Sequence, residues 1–315
     1  MQVFRHLEEI PDEFGHTITS IGNFDGIHRA HQAVLREVLT RARATGAKAL
    51  AVTFDPHPTR ILRPDKDLKL LTPLPVKLKL FEHTEVDGVL VLPFSRDLSM
   101  MSPREFVEEI LVKKLKVREV HEGYNFHFGH KATGNVEVLR EFGREFGFEV
   151  VVYPEMKLRN ETVSSTEIRR LLSEGNVSKA RHLLGRVFAL YSNPGRGRGY
   201  GHKYTVPTIN LSRYDELVPK NGVYITRSRI GDTCFDSVTN VGVRPTFGPD
   251  SFAIESHMLN FHPVDVTAET RVELSFLKWI RPEMKFPSPD ALRDQISKDV
   301  HKARRFFHCL KESKG

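Results

Sequence analysis

The 315-residue chain is poor in cysteine, with Cys234 and Cys309 alone. Two distant thiols supply neither a disulfide framework nor a thiolate metal site. No apolar stretch approaches the ~20 residues that a membrane-spanning helix needs. The first residues carry acids and a proline in place of a hydrophobic leader core, so no signal peptide and a cytoplasmic location are expected. Long basic runs and aromatic-basic interleaving are also missing, which argues against nucleic acid as a partner. The net charge of +7, from 47 basic and 40 acidic residues, suits small anionic substrates instead. A homo-oligomer is compatible with this composition.

What is present reads as two globular domains, since the chain is long for one hydrophobic core. Up to residue 184, strand-like runs (17–21, 49–54, 88–92, 119–121 and 149–153) alternate with segments of helical periodicity. One helix spans 28–45, burying Val34, Leu35, Val38, Leu39 and Ala42 and stopping at Gly46. Another opens at Ser102-Pro103-Arg104-Glu105, an N-cap, N1 proline and capping-box glutamate. This alternation predicts a doubly wound parallel sheet over 1–184. From 185 to 315 the pattern shifts to period two, at 224–228, 234–241, 253–259 and 271–279, predicting a small antiparallel barrel. A closing helix at 288–310 aligns Leu292, Ile296, Val300, Ala303 and Phe307 in one apolar stripe.

The most informative segment is Gly22-Asn23-Phe24-Asp25-Gly26-Ile27-His28-Arg29-Ala30-His31. It joins the first long strand to the first long helix. Gly22 and Gly26 let backbone approach a ligand, and His28 and His31 share one face of the first helical turn. The helix N-terminus adds unpaired N–H groups and a positive dipole end, suited to nucleotide phosphates. Ser164-Ser165-Thr166-Glu167-Ile168-Arg169 offers hydroxyls and a guanidinium of the same use, although Ser164 and Glu167 also read as a capping box. Asn125, in the loop 123–129, can read a base or ribose through its amide. In the second half a glycine-rich loop containing Gly197, Gly199 and Gly201 precedes Val206-Pro207-Thr208-Ile209-Asn210. Such a loop can wrap phosphates, and Thr208 and Asn210 point the same way on an extended segment, as hard oxygen ligands for Mg²⁺.

In its Gly-x-Phe-Asp-Gly-x-His form the first motif resembles the adenylyltransferase half of the bacterial bifunctional riboflavin kinase/FAD synthetases; Ala30 stands where that family has glycine. The Ser-Ser-Thr-x-x-Arg and Pro-Thr-x-Asn segments, 219–224, 240–247 and Glu255-Ser256-His257 follow in the family's order. The resemblance implies two ATP-dependent steps, riboflavin to FMN and FMN to FAD, with Mg²⁺. It gives His28 and His31 the phosphates in adenylyl transfer, with Gly22, Phe24, Asp25, Gly26, Asn125, Ser164, Thr166 and Arg169 around the nucleotide. It gives Glu255 the role of base in the kinase step, Thr208 and Asn210 the metal, and Gly197, Gly199, Gly201, Pro207 and Arg244 the ATP and flavin. A narrower alternative keeps only the adenylyltransferase, with a flavin-binding second half.

Overall fold

A computed structural model describes residues 1–195, 203–204, 208–212, 214–243, 252–267 and 269–312. The chain divides into two compact units, Met1–Ser165 and Thr166–Gly315. In the first unit β1 (Gln2–Phe4), β2 (Thr17–Ile21), β3 (Lys48–Asp55), β4 (Gly88–Pro93), β5 (Val117–Gly123) and β6 (Glu149–Tyr153) form one sheet. Its order is β1-β4-β3-β2-β5-β6, and every pairing is parallel. Between them lie α1 (Arg29–Thr45), α2 (Pro58–Leu62), α3 (Leu74–Glu82), α4 (Arg96–Met100), α5 (Pro103–Glu105) and α6 (Val136–Phe146). A hairpin of β7 (Lys157–Leu158) and β8 (Glu161–Thr162) leads into α7 (Ser165–Ser173).

Central β2 is buried along its whole length, as a parallel strand covered on both faces must be. The helix expected at 28–45 is α1, capped by His28 and ended by Gly46 in the left-handed conformation. Leu35, Val38 and Ala42 are buried, with Val34 and Leu39 packed partly against the same cluster. The predicted capping box also forms: Ser102 Oγ accepts from Glu105 N–H (3.2 Å), and Ser102 N–H donates to Glu105 Oε2 (2.7 Å). Beyond it the helix widens into a π-helical stretch, Phe106–Lys114. Edge strand β1 was not expected; with two of its three residues exposed it carries no burial pattern to read.

The second unit holds α8 (Val177–Leu184) and a sheet of β9 (Phe188–Ser192), β11 (Thr208–Asn210), β12 (Gly222–Ile230), β13 (Thr233–Val243), β14 (Phe252–Met258) and β16 (Val272–Arg281). A separate pair joins β10 (Lys203–Tyr204) to β15 (Val264–Asp265). The six strands run antiparallel in the order β11-β14-β13-β12-β16-β9. Gly195 N–H donates to Asn210 O (2.8 Å) and Ser212 N–H to Asn193 O (3.0 Å), drawing the two edges together as a barrel requires. The helix α9 (Pro289–Glu312) lies outside, with Ala303 and Phe307 over Val223 and Ile225. Arg281 of β16 pins it through Asp299 (2.9 Å). The apolar stripe is buried only at this end, since Leu292 and Ile296 stay 41% and 45% exposed.

The inner face mixes large apolar side chains, among them Tyr224, Phe235 and Phe276, with five fully buried hydroxyls. Thr239 donates to Ser256 (2.9 Å), which continues through Ser228 (2.8 Å), Ser237 (2.9 Å) and Thr226 (2.8 Å) back to Thr239 (2.6 Å). Each hydroxyl in this ring can donate once and accept once, so the interior polar groups satisfy one another. Thr226→Val keeps the shape but strips Ser237 of its acceptor and Thr239 of its donor. We expect it to destabilise the second unit by about 1–3 kcal/mol, measured by urea denaturation.

Candidate active sites

The first site grows from the turn between β2 and α1. The connection from β2 leads to β3 on one side while β5 lies on the other, so the carboxyl end of β2 is a topological switch point, where open α/β sheets bind ligands. The turn is strained: Phe24 (φ +45°), Gly26 (φ +89°) and Ile27 (φ +35°) all lie in the left-handed region. Side chains from other segments hold it there. Asp25 is buried, and its carboxylate accepts from Leu71 N–H (3.0 Å), Thr72 N–H (3.0 Å) and Thr72 Oγ1 (3.2 Å). Thr72 Oγ1 in turn accepts from Gly26 N–H (2.9 Å). Gln32 Nε2 donates to Ile27 O (2.7 Å), and Ser165 Oγ to Asp25 O (2.8 Å).

At the end of this turn His28 caps α1, its Nδ1 accepting from His31 N–H (3.4 Å). That bond puts the neutral ring's proton on Nε2 and makes that atom a donor. The two imidazoles stack with centroids 3.6 Å apart at 18°, and Phe24 meets His31 edge-on at 5.1 Å. Asn125 lies exposed at the carboxyl end of β5, next to β2 in the sheet. Gly22, Gly26, Phe24, His28 and His31 therefore share one turn, with Asn125 on the neighbouring strand end. Asp25 supports the turn with its carboxylate, and the Phe24 ring is packed against Phe81. Ser164 directly precedes α7, while Thr166 and Arg169 follow on that helix within the second unit.

In the second unit strand register builds the other site. Asn210 of β11 pairs with Glu255 of β14, and Thr208 pairs with His257. The intervening Ile209 and Ser256 are fully buried inside, so Thr208, Asn210, Glu255 and His257 share the outer face. On its other side Glu255 faces Asn240 of β13. Thr208 Oγ1 and His257 Nδ1 are 3.1 Å apart, and burial lowers the His257 pKa. Both neutral hydrogen-bonding side chains and the carboxylate are half-buried. The donor set fits Mg²⁺, a hard cation satisfied by a few protein oxygens when phosphates and water supply the rest. No cluster of His, Cys, Asp and Glu able to hold a metal by itself occurs among the described residues. Gly197, Gly199, Gly201, Pro207 and Arg244 lie outside the described residues.

Known proteins divide the chain in the same two parts. Residues 10–167 match the FAD synthetase family model and residues 184–307 the riboflavin kinase model. A bifunctional riboflavin kinase/FMN adenylyltransferase of Pseudomonas fluorescens is 33% identical over 311 residues, covering 96% of this chain and 97% of the relative. The chain belongs to the bifunctional riboflavin kinase/FMN adenylyltransferase family. Its Escherichia coli (strain K12) member is 31% identical over 307 residues, 97% of each chain. A crystal structure named as a macrolide-efflux protein from Streptococcus pneumoniae superposes with a TM-score of 0.82 at 25% identity, covering 96% of this chain and 98% of that one. The efflux in that name has no counterpart here in a membrane helix: among the described residues none is long and apolar enough to cross a bilayer.

Gln32, Thr72 and Glu122 carry no signal in the sequence, being ordinary polar residues whose importance lies in tertiary contacts, and the bond from Ser165 to Asp25 O is equally invisible in its motif. The ladder between β2 and β5 covers only Thr17 to Thr19, and the strands part above it. There Ile21 N–H donates to Glu122 Oε1 (2.6 Å), a side chain replacing a strand partner at the floor of the first site. Burial pushes the Glu122 carboxyl well above its usual value of 4.5, and the bond from Ile21 only partly offsets this. A raised folded pKa stabilises the fold at low pH, and that contribution is lost as pH rises through the folded pKa. Glu122→Gln keeps an acceptor for Ile21 without titrating. Its stability relative to the unmodified protein should therefore increase from mildly acid to mildly alkaline pH, measured by denaturant midpoints at both.

Proposed function

We propose that this chain makes FAD from riboflavin in two ATP-dependent steps, phosphorylation to FMN and then adenylyl transfer to FMN with release of pyrophosphate. The observation that carries the reading is the presence of both family models in one chain. Residues 1–184 take the adenylyl transfer and residues 185–315 the phosphorylation.

In adenylyl transfer an oxygen of the FMN phosphate attacks the α-phosphorus of ATP, and the bond to the bridging oxygen breaks to release pyrophosphate. This nucleophile is already ionised, so the site must supply alignment and charge stabilisation rather than a base. His28 Nε2 and the His31 ring donate to the phosphate oxygens, the turn 22–26 lies against the phosphates, Ser164 assists the leaving pyrophosphate and Asn125 reads the base or ribose. The kinase step needs an additional element, because the ribityl hydroxyl is a weak acid. Glu255 accepts its proton as the oxygen attacks the γ-phosphorus and ADP leaves. Thr208 and Asn210 hold Mg²⁺, which, when bound, neutralises phosphate charge. Gly197, Gly199, Gly201, Pro207 and Arg244 bind ATP and flavin by family resemblance.

Two substitutions test the division of labour. His28→Ala should lower FAD formation from added FMN by on the order of a hundredfold or more while leaving riboflavin phosphorylation within about twofold. Glu255→Gln should do the reverse, by a factor on the order of a hundred or more. Chromatographic time courses with riboflavin, FMN and ATP separate the two activities. Parallel loss of both in either variant would overturn the assignment.

A further inference from the structure

Lys77 is a buried cation that no step above uses. It sits on α3 with 3% exposure, and its Nζ reaches beneath the phosphate turn. There it donates to Asn23 O (2.8 Å) and to Thr53 Oγ1 (3.3 Å), at the end of β3. Thr53 Oγ1 donates to the same Asn23 carbonyl (3.2 Å). Both partners of the ammonium are neutral oxygens, and among the described residues no carboxylate is in ion-pair contact with it. Desolvation lowers its pKa, while the more distant charges of Asp25 and Asp55 work in the opposite direction. A buried ammonium without a contacting counter-ion costs stability, so the fold alone gives no reason for it.

Peptide geometry supplies a reason. The N–H and C=O of a planar trans peptide point in opposite directions. With Asn23 C=O turned in toward Lys77, the N–H of Phe24 is turned outward on the side of the turn away from the ammonium. A charge-assisted bond at the carbonyl end also polarises the peptide, making the N–H at its other end a stronger donor. Phe24 has a positive φ, and two donors on the preceding carbonyl keep that plane from rotating back. The turn thereby transmits a positive charge toward the ligand without exposing the side chain that bears it.

We infer that Lys77 is a positioning residue for adenylyl transfer, fixing and polarising the Asn23–Phe24 peptide so that its N–H binds the phosphates of ATP and the departing pyrophosphate. The inference rests on the adenylyltransferase reading of the first unit. Lys77→Met in the full-length chain removes the charge at nearly constant shape. It should lower kcat for FAD formation at least tenfold and weaken binding of inorganic pyrophosphate, measured by titration calorimetry, at least fivefold. Riboflavin phosphorylation in the same sample should stay within twofold. The melting temperature should hold or rise, whereas a merely structural lysine predicts a fall. Unchanged kcat and pyrophosphate affinity would overturn the inference, as would a lowered melting temperature with both activities reduced together. Unmodified protein that makes no FAD would overturn the adenylyltransferase reading itself, and this inference with it.

Discussion

The first unit depends on a single constraint: the carbonyls of the turn after β2 must face into the protein. Asn23, Phe24, Asp25 and Ile27 offer their oxygens to Lys77 and Thr53, Ile27 N–H, Ser165 and Gln32 in turn. Such bonds keep three left-handed conformations within four residues, at Phe24, Gly26 and Ile27, from relaxing, although two of the residues are not glycine. Each contributes modestly, but leaving any of these carbonyls buried and unmatched would cost more than the bond returns. Folding and, on the proposed reading, phosphate binding thus meet in one turn, whose carbonyl at Asn23 keeps Thr53 as a second donor beside Lys77. Asp25 illustrates the economy, since a carboxylate facing the phosphates would repel them, whereas one occupied by Leu71 and Thr72 shapes the turn.

The second unit reaches a comparable result by other means. Thr208, Asn210, Glu255 and His257 converge because β11 and β14 pair in one register, with no strained turn among them. Inner neighbours Ile209 and Ser256 enforce that register, as a slip by one residue would exchange the two faces. In the proposed reading the contrast follows the chemistry. Transfer of an adenylyl group to an already ionised nucleophile calls for aimed donors, for which a turn and a helix end are suited. Deprotonating an alcohol calls for a carboxylate beside a cation, for which alternate positions on paired strands are suited.

Much of this was legible in the sequence. Strands at 17–21 and 149–153 were recovered in full, because β-period and apolar runs record burial directly. Likewise His28 and His31 stand out through spacing, and Gly46 through its place after the last helical turn. Resemblance drew attention to Thr208, Asn210 and Glu255, and register then brought them to one face. Illegible were the supports. Lys77 lies 54 residues from Asn23, and Ser165 is 140 from Asp25, so no local pattern links either pair. Leu292 and Ile296 failed in the opposite sense: helical periodicity identifies a stripe but cannot tell how far along the helix a partner surface extends. Glu122 resembles any charged strand residue until the parting of β2 and β5 reveals a backbone donor that needs it.

The ring of hydroxyls inside the barrel has an electrostatic consequence. Because Thr239 donates to Ser256, the sequence of donors runs in one sense around all five residues. Bond dipoles arranged head to tail on a closed circuit largely cancel. The interior is therefore polar in composition but nearly silent in field. Glu255, on the same strand as Ser256, is spared a fixed potential from behind, so the charges that act on its carboxylate are those that gather on the outer face.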